Sequence, residues 1–250
     1  MADHRRMDAD AAGSAARAHR RAAPRARSMG DDKLIEALQA PGCPLCTHAD
    51  RRVWRHLSGV LYELVTDVGF RERLVAGGGF CPRHTRLTLA VNREELGGVT
   101  AAAILLRSVL GARREALRAA GDGRRTGQRI AAATRAAWSC TACEQEEIAL
   151  SDAIGSLVGH SARDPHWREW LGASAWCLGH VGRLATALHS ADAASGSAFV
   201  AAQVERLAAL DGRLEGLVHH SSHDRLALLT ETEQRSAREA AAILAGSGRP

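Results

Sequence analysis

Four short stretches carry all the thiol chemistry of this chain. Cys43-Pro44-Leu45-Cys46 is followed by Cys81-Pro82-Arg83-His84, and Cys140-Thr141-Ala142-Cys143 is followed by Cys177-Leu178-Gly179-His180. All six cysteines lie in these four tetrapeptides, so each half of the chain offers three thiols and one imidazole. Three thiolates and an imidazole complete a tetrahedral ligand set for zinc. Two residues between paired ligands let both side chains turn onto one ion, and a rigid turn or a helix start does the turning. Pro44 and Pro82 stiffen the first two turns. The positive end of a helix favours thiolate over thiol.

The spacing repeats as well as the motifs. There are 34 residues between Cys46 and Cys81 and 33 between Cys143 and Cys177. Closure within each half puts Cys43, Cys46, Cys81 and His84 on one metal and Cys140, Cys143, Cys177 and His180 on the other. Crossed ligation, in which each thiol pair joins the Cys-x-x-His of the other half, is also open, but closing the shorter loop costs less chain entropy. Four protein ligands leave no position for water or substrate, so such a site is structural and argues against a zinc hydrolase. The rival cofactor is an iron–sulfur cluster on the same ligand types. A dithiol redox site at Cys43-Pro44-Leu45-Cys46 is weaker, because no βαβ pattern surrounds it and the second pair lacks the proline.

Helices must position these ligands. Alanine, leucine and arginine dominate the composition and only 4% of residues are aromatic, which favours helices packed through small side chains. A lead-in helix over 31–42 is stopped by Pro41-Gly42. A long helix over 47–66 carries Val53, Leu57, Val60, Leu61 and Leu64 at helical spacing. Asp67 caps a shorter helix through Phe70 and Leu74, and Gly77-Gly78-Gly79 delivers the Cys81 motif. Another amphipathic helix spans 99–120. In the second half, Asp164-Pro165 starts a short helix. Cys43 to Leu74 aligns with Cys140 to Leu171 without a gap, and Phe80 to His84 then meets Trp176 to His180. Matching caps, aromatics and ligands make duplication the expected origin. A helix over 197–219, with Val200, Val204, Leu207, Leu210, Leu214 and Leu217, reads as a coiled-coil seam or a core stripe. Thr230 and Glu233 form a capping box for a last helix through Ile243 and Leu244 that Gly246 stops. No stretch alternates as a strand does.

The expected fold is therefore all-α: two pseudo-repeated helical units, each clasped by a Cys3His site, plus C-terminal helices. The divisions are a basic tail over 1–30, a first unit over 31–120, a linker over 121–129 and a second unit over 130–246. Met29 is an alternative start.

Charge narrows the partners. The formal net charge is +5, but residues 1–28 hold seven arginines and three aspartates. The remainder stands near +1, and two sites of three thiolates and one Zn²⁺ bring it to about −1. A body near neutrality gives no electrostatic reason to expect nucleic acid. No apolar run approaches the roughly 20 residues that span a bilayer, and the N-terminus lacks the apolar core of a secretory signal. Paired thiols without an export signal indicate a reducing compartment, the cytoplasm, and metal in place of disulfides.

Other residues read as structural. His219, His220 and His223 cluster at a helix end and are expected to be solvated there. His160, His166 and His189 have no spacing partner and are expected at the surface or at an interface. Trp54, Trp138, Trp167, Trp170 and Trp176 are expected to be core anchors.

The stretch Ala37-Leu38-Gln39-Ala40-Pro41-Gly42-Cys43-Pro44-Leu45-Cys46, with Leu61-Tyr62-Glu63, Gly79-Phe80-Cys81-Pro82-Arg83-His84, His223-Asp224-Arg225 and Glu233 to Gly246, resembles a family of bacterial proteins of unknown function that carry this doubled frame. The resemblance covers about residues 31–246. It implies a bacterial, cytosolic, helical and metal-binding protein, and no activity. These readings converge on a zinc-stabilised helical module that binds a protein partner or itself, with an iron–sulfur or thiol redox protein as the alternative.

Overall fold

A computed structural model describes residues 29–121, 126–134, 139–221 and 228–246. The described residues form helices and no strands. The order is α1 (Met29–Gln39), α2 (Pro44–Gly59), α3 (Val68–Ala76), α4 (Pro82–Leu96), α5 (Thr100–Ala120), α6 (Thr126–Thr134), α7 (Thr141–Arg163), α8 (Pro165–Ala173), α9 (Leu178–Ala191), α10 (Ala193–His220) and α11 (Glu231–Ala245). A wider π turn, Val60–Leu64, extends α2. None of these helices is long and apolar enough to cross a membrane.

The expected caps are in place. Asp67 accepts from the Phe70 N–H, and Asp164 accepts from the His166 N–H at 2.9 Å with Pro165 next in line. Thr230 and Glu233 cap each other's backbone at the start of α11. Each such cap contributes about 1 kcal/mol. The expected linker 121–129 is shorter than its glycines suggest, because α6 begins inside it at Thr126, whose hydroxyl donates to the Gly121 carbonyl. The tail 1–28, Trp138 and His223 lie outside the described residues.

The chain divides into two compact units, and they are not the halves 31–120 and 130–246. One comprises Ala49–Ala149. The other combines the described residues up to His48 with those from Leu150 onward. Helix α2 therefore starts in one unit and ends in the other, and α7 does so in the opposite sense.

In the 49–149 unit, Val53, Leu57, Val60 and Leu61 of α2 and its π turn meet Phe70, Leu74, Phe80, Val91, Ala102 and Leu105 in one core that reaches Cys140 and Ala142. Buried Asn92 accepts from the Ala102 N–H at 2.6 Å and ties α4 to the start of α5. In the other unit, α10 packs on α8, α9 and α11. Gly196 permits a close approach of backbones, since a Cβ there would stand 2.7 Å from the His189 backbone. Trp167, Trp170 and Trp176 are buried anchors, as their aromatic bulk suggests, and Trp176 donates to the Leu171 carbonyl at 2.8 Å. Trp54 is only partly buried and donates to Glu95 at 2.7 Å.

Two expectations fail here. His160 is buried and stacks on Trp167 with ring centroids 4.5 Å apart, so it is not a surface residue. The 197–219 stripe is misphased as a core. The buried face of α10 is Gly196, Phe199, Gln203 and Leu210, whereas Val200, Val204 and Leu207 are exposed. Valine and leucine at steps of three and four mark an apolar face without saying whether anything covers it.

Candidate metal centres

Each of the four tetrapeptides occupies the first turn of a helix. The first cysteine sits where the N-cap belongs and the second ligand falls three residues on. The carbonyls of Cys43, Cys81, Cys140 and Cys177 accept from the N–H of Thr47, Thr85, Glu144 and Val181 at 2.8–3.1 Å, the first hydrogen bonds of α2, α4, α7 and α9. No cysteine forms a disulfide.

The structure brings the eight expected ligands together as two sets of four. Cys43, Cys46, Cys177 and His180 form one, and Cys81, His84, Cys140 and Cys143 form the other, with all ligand atoms of a set within 4.8 Å of one another. Each set can hold a metal ion. The pairing is the crossed one and overturns the within-half assignment of Cys43, Cys46, Cys81 and His84 to one ion and Cys140, Cys143, Cys177 and His180 to the other.

The physical reason is helix length. Helix α2 with its π turn runs from Pro44 to Leu64, about 31 Å at 1.5 Å per residue, while the nine-residue α3 returns only about 14 Å. On helix rise alone, α3 falls short of the length of α2. In the second half α7 has 23 residues against nine in α8, the same mismatch of helix lengths. Rigid helices cancel the small entropic advantage of the shorter loop.

Within the 49–149 unit, the glycine turn after α3 completes the second set. Gly77 accepts from the Ser139 N–H at 3.0 Å, and a Cβ on Gly77 would stand 2.7 Å from the Ser139 carbonyl oxygen. Only glycine allows this approach. It sets the start of α7 beside the Phe80-Cys81 turn.

The distances fit one ion per set. Sγ of Cys46 lies 3.7 Å from Sγ of Cys177, and Sγ of Cys143 lies 3.7 Å from Sγ of Cys81. The three sulfurs of each set stand 3.2–3.4 Å from Nδ1 of its histidine. A regular tetrahedron with Zn–S near 2.3 Å and Zn–N near 2.0 Å has edges of about 3.8 Å and 3.5 Å. The sets are near that size before any ion is considered, and Nδ1 is the nitrogen that faces the sulfurs in both. Two helix N-termini converge on each set, so their partial positive charges face three sulfurs.

Protonation follows the same geometry. Hydrogen bonds from Cys43 and Cys46, then the N–H groups of His180 and Gly179, hold the Cys177 thiol down to about 3, and Cys43 rises correspondingly. Desolvation, then the neighbouring Cys81 and Cys140 sulfurs, push Cys143 up to about 12. Burial and the Arg83 charge hold His84 below the ordinary histidine value, which keeps it in the neutral form a metal needs.

The two sets differ in their surroundings. In the first, Gly246 closes over the sulfurs. Its φ is +80°, and a Cβ there would stand 3.3 Å from Cys46 Sγ and 3.8 Å from Cys177 Sγ. In the second, His84 is fully buried, while Cys143 is exposed. Nε2 of His84 faces Glu146 Oε2 at 3.7 Å and Arg83 Nη2 at 2.8 Å, and Arg83 donates to Glu146 at 2.5 Å. Arg83 only donates, so at 2.8 Å it faces Nε2 as an acceptor; metal on Nδ1 puts the proton on Nε2, Arg83 must then give way, and Glu146 is the nearest acceptor. Sequence reasoning missed both features. Glu146 follows Cys143 by three residues on one helix face and was findable; Gly246 lies more than 60 residues beyond His180 and was not.

Among the described residues His220 joins no metal set; its Nδ1 pairs with Glu233 Oε1 at 3.1 Å, and its ring lies edge-on to His219.

No protein-family model, no curated protein and no solved structure matches this chain.

Proposed function

We propose that the protein is a helical interaction module clasped by two structural zinc ions, working in the cytosol of a bacterium, as the resemblance implies. The observation that carries the metal reading is the contact between ligand atoms in each set, with sulfurs 3.7 Å apart. One tetrahedral ion fits that spacing. An iron–sulfur cluster distributes its ligands over several irons and spreads their sulfurs further apart. With all four positions filled by protein, the ion has no site for substrate, so its work is to hold helices. Function then falls to the exposed helix faces, which suit a protein partner or a second copy.

Elemental analysis of protein purified without oxygen tests this. Two zinc per chain without visible colour is the expected result. Iron with acid-labile sulfide would overturn it, as would full folding without metal.

One observation favours a second reading. Exposed Cys143 stands 3.7 Å from Cys81. A hydroperoxide takes two electrons from the two thiolates: the S–S bond of a Cys81–Cys143 disulfide forms, the O–O bond breaks, and with two protons from solvent the peroxide leaves as one water and one alcohol (two waters from hydrogen peroxide); the site, left with two ligands, would lose its hold on a metal ion. A stoichiometric loss of one zinc under mild peroxide, reversed by thiol reductant, would support this redox role.

A further inference from the structure

The charge of the chain is not evenly spread. Residues 49–149 carry 16 arginines and 11 acidic residues, a formal +5, while residues 29–48 and 150–249 carry 10 basic and 14 acidic residues, a formal −4. Each unit also exposes an apolar helix face of its own charge.

On α5, Leu110 is 68% exposed and Leu117 44% exposed. Arg107, Arg114 and Arg118 share their face, at helical steps of four and three. Arg114 and Arg118 bond only to exposed Glu115 of the same helix among the described residues, which is a weak tie. On α10, Val200, Val204, Leu207, Leu214 and Val218 form a second stripe; Val204 is 59% exposed and Val218 73%. Its charges are Asp211, in the line of the stripe, and Glu215 beside it. The arginines of α10, Arg206 and Arg213, turn away to Glu239 on α11.

The spacings match. Leu110, Arg114 and Leu117 are separated by four and three residues, and so are Leu207, Asp211 and Leu214. Laid parallel, the two stripes set leucine against leucine in two layers and Arg114 against Asp211 in the layer between. One opposite-charge pair within an apolar seam fixes register.

We propose that α5 of one copy docks on α10 of a second copy through these stripes. The inference rests on the interaction-module reading above and names its partner. Both faces are exposed within a single chain, and they are complementary in charge while neither matches itself. Each copy then carries both halves of the contact, so reciprocal docking closes a pair of copies and one-way docking builds a ring or an open chain. Opposite charges on the two faces make it sensitive to salt.

Sedimentation velocity of the full-length, zinc-loaded protein tests this across concentration, at low salt and at 0.5 M salt. The expected result is a sedimentation coefficient that rises with concentration and falls with salt. R114D and D211R should each weaken association by roughly thirtyfold or more, the effect of leaving one interfacial charge unpaired. An equimolar mixture of the R114D and D211R proteins should restore it, because each supplies the face that complements the other. Zinc content of two per chain serves as the folding control in every variant. A monomer at all concentrations that holds two zinc overturns the docking and leaves the zinc module standing; a protein without zinc overturns the module itself. Failure of the mixture to exceed its components overturns the assigned faces. Deleting residues 1–28 should change nothing; loss of association on deletion would put the arginine-rich tail on the acidic face of α10 and overturn the role of α5.

Discussion

The two candidate metal centres offer the same chemistry in different shelters. Both join a Cys-x-x-Cys helix start to a Cys-x-x-His helix start, with the same sulfur spacing and the same histidine nitrogen facing the sulfurs. The centre at Cys43, Cys46, Cys177 and His180 is overlaid by Gly246 at the end of α11. The centre at Cys81, His84, Cys140 and Cys143 leaves a cysteine exposed and instead buries its histidine against an Arg83–Glu146 ion pair. Ligand identity sets what can bind. The elements packed around the ligands set how readily an ion would leave, and the end of α11 lies over the Cys46 and Cys177 sulfurs.

The largest effects should come from the ligands. C177S should remove the ion shared with Cys43 and Cys46 and leave the other, so zinc falls from two to one per chain. Structural zinc supplies on the order of 10 kcal/mol of folding free energy in small domains, so the affected unit should also melt much earlier. C140S should do the reverse, and mass spectrometry of the intact metal-loaded protein reads both counts.

E146Q comes next. Loss of the carboxylate beside His84 Nε2 should weaken the second centre by about ten- to hundredfold in zinc affinity and leave the first unchanged. Competition with a chromophoric chelator separates the two.

G246A should act on the first centre alone. At φ +80° an alanine is strained by about 1–3 kcal/mol, and its Cβ meets Cys46 Sγ at 3.3 Å. Faster zinc release from that centre, with the second unaffected, is the expected outcome in stopped-flow chelation. Equal acceleration at both would show that Gly246 is not a local lid.

The smallest effect requires no mutation. Limiting alkylating reagent on the zinc-loaded protein should label Cys143 before any other cysteine, as peptide mass spectrometry would show. First labelling of Cys43 or Cys140, both buried, would contradict the difference in shelter.

Much of this was legible in the sequence because ligands, caps and helix starts are local. Cys-x-x-Cys and Cys-x-x-His announce themselves by spacing, and Asp67, Asp164 and Thr230 by the residues that follow. Pairing was not legible. Gaps of 34 and 33 residues look alike whichever way the ligands close, and the decision lies in the long α2 and α7 set against the short α3 and α8. Of the two readings of the α10 stripe, the core stripe fails for a related reason. Val200, Val204 and Leu207 have the period of a buried stripe, but burial depends on what packs there, and α8, α9 and α11 approach through Gly196, Phe199, Gln203 and Leu210. Gly246 closes on sulfurs contributed by residues far away in sequence, and nothing local marks it.

Crossed ligation is the central claim, and cadmium substitution tests it directly. With ¹¹³Cd in place of zinc, each metal resonance correlates through scalar coupling with the β protons of its own cysteines. One resonance should correlate with Cys43, Cys46 and Cys177, and the other with Cys81, Cys140 and Cys143. Correlation of Cys43, Cys46 and Cys81 with one ion, and of Cys140, Cys143 and Cys177 with the other, would contradict it.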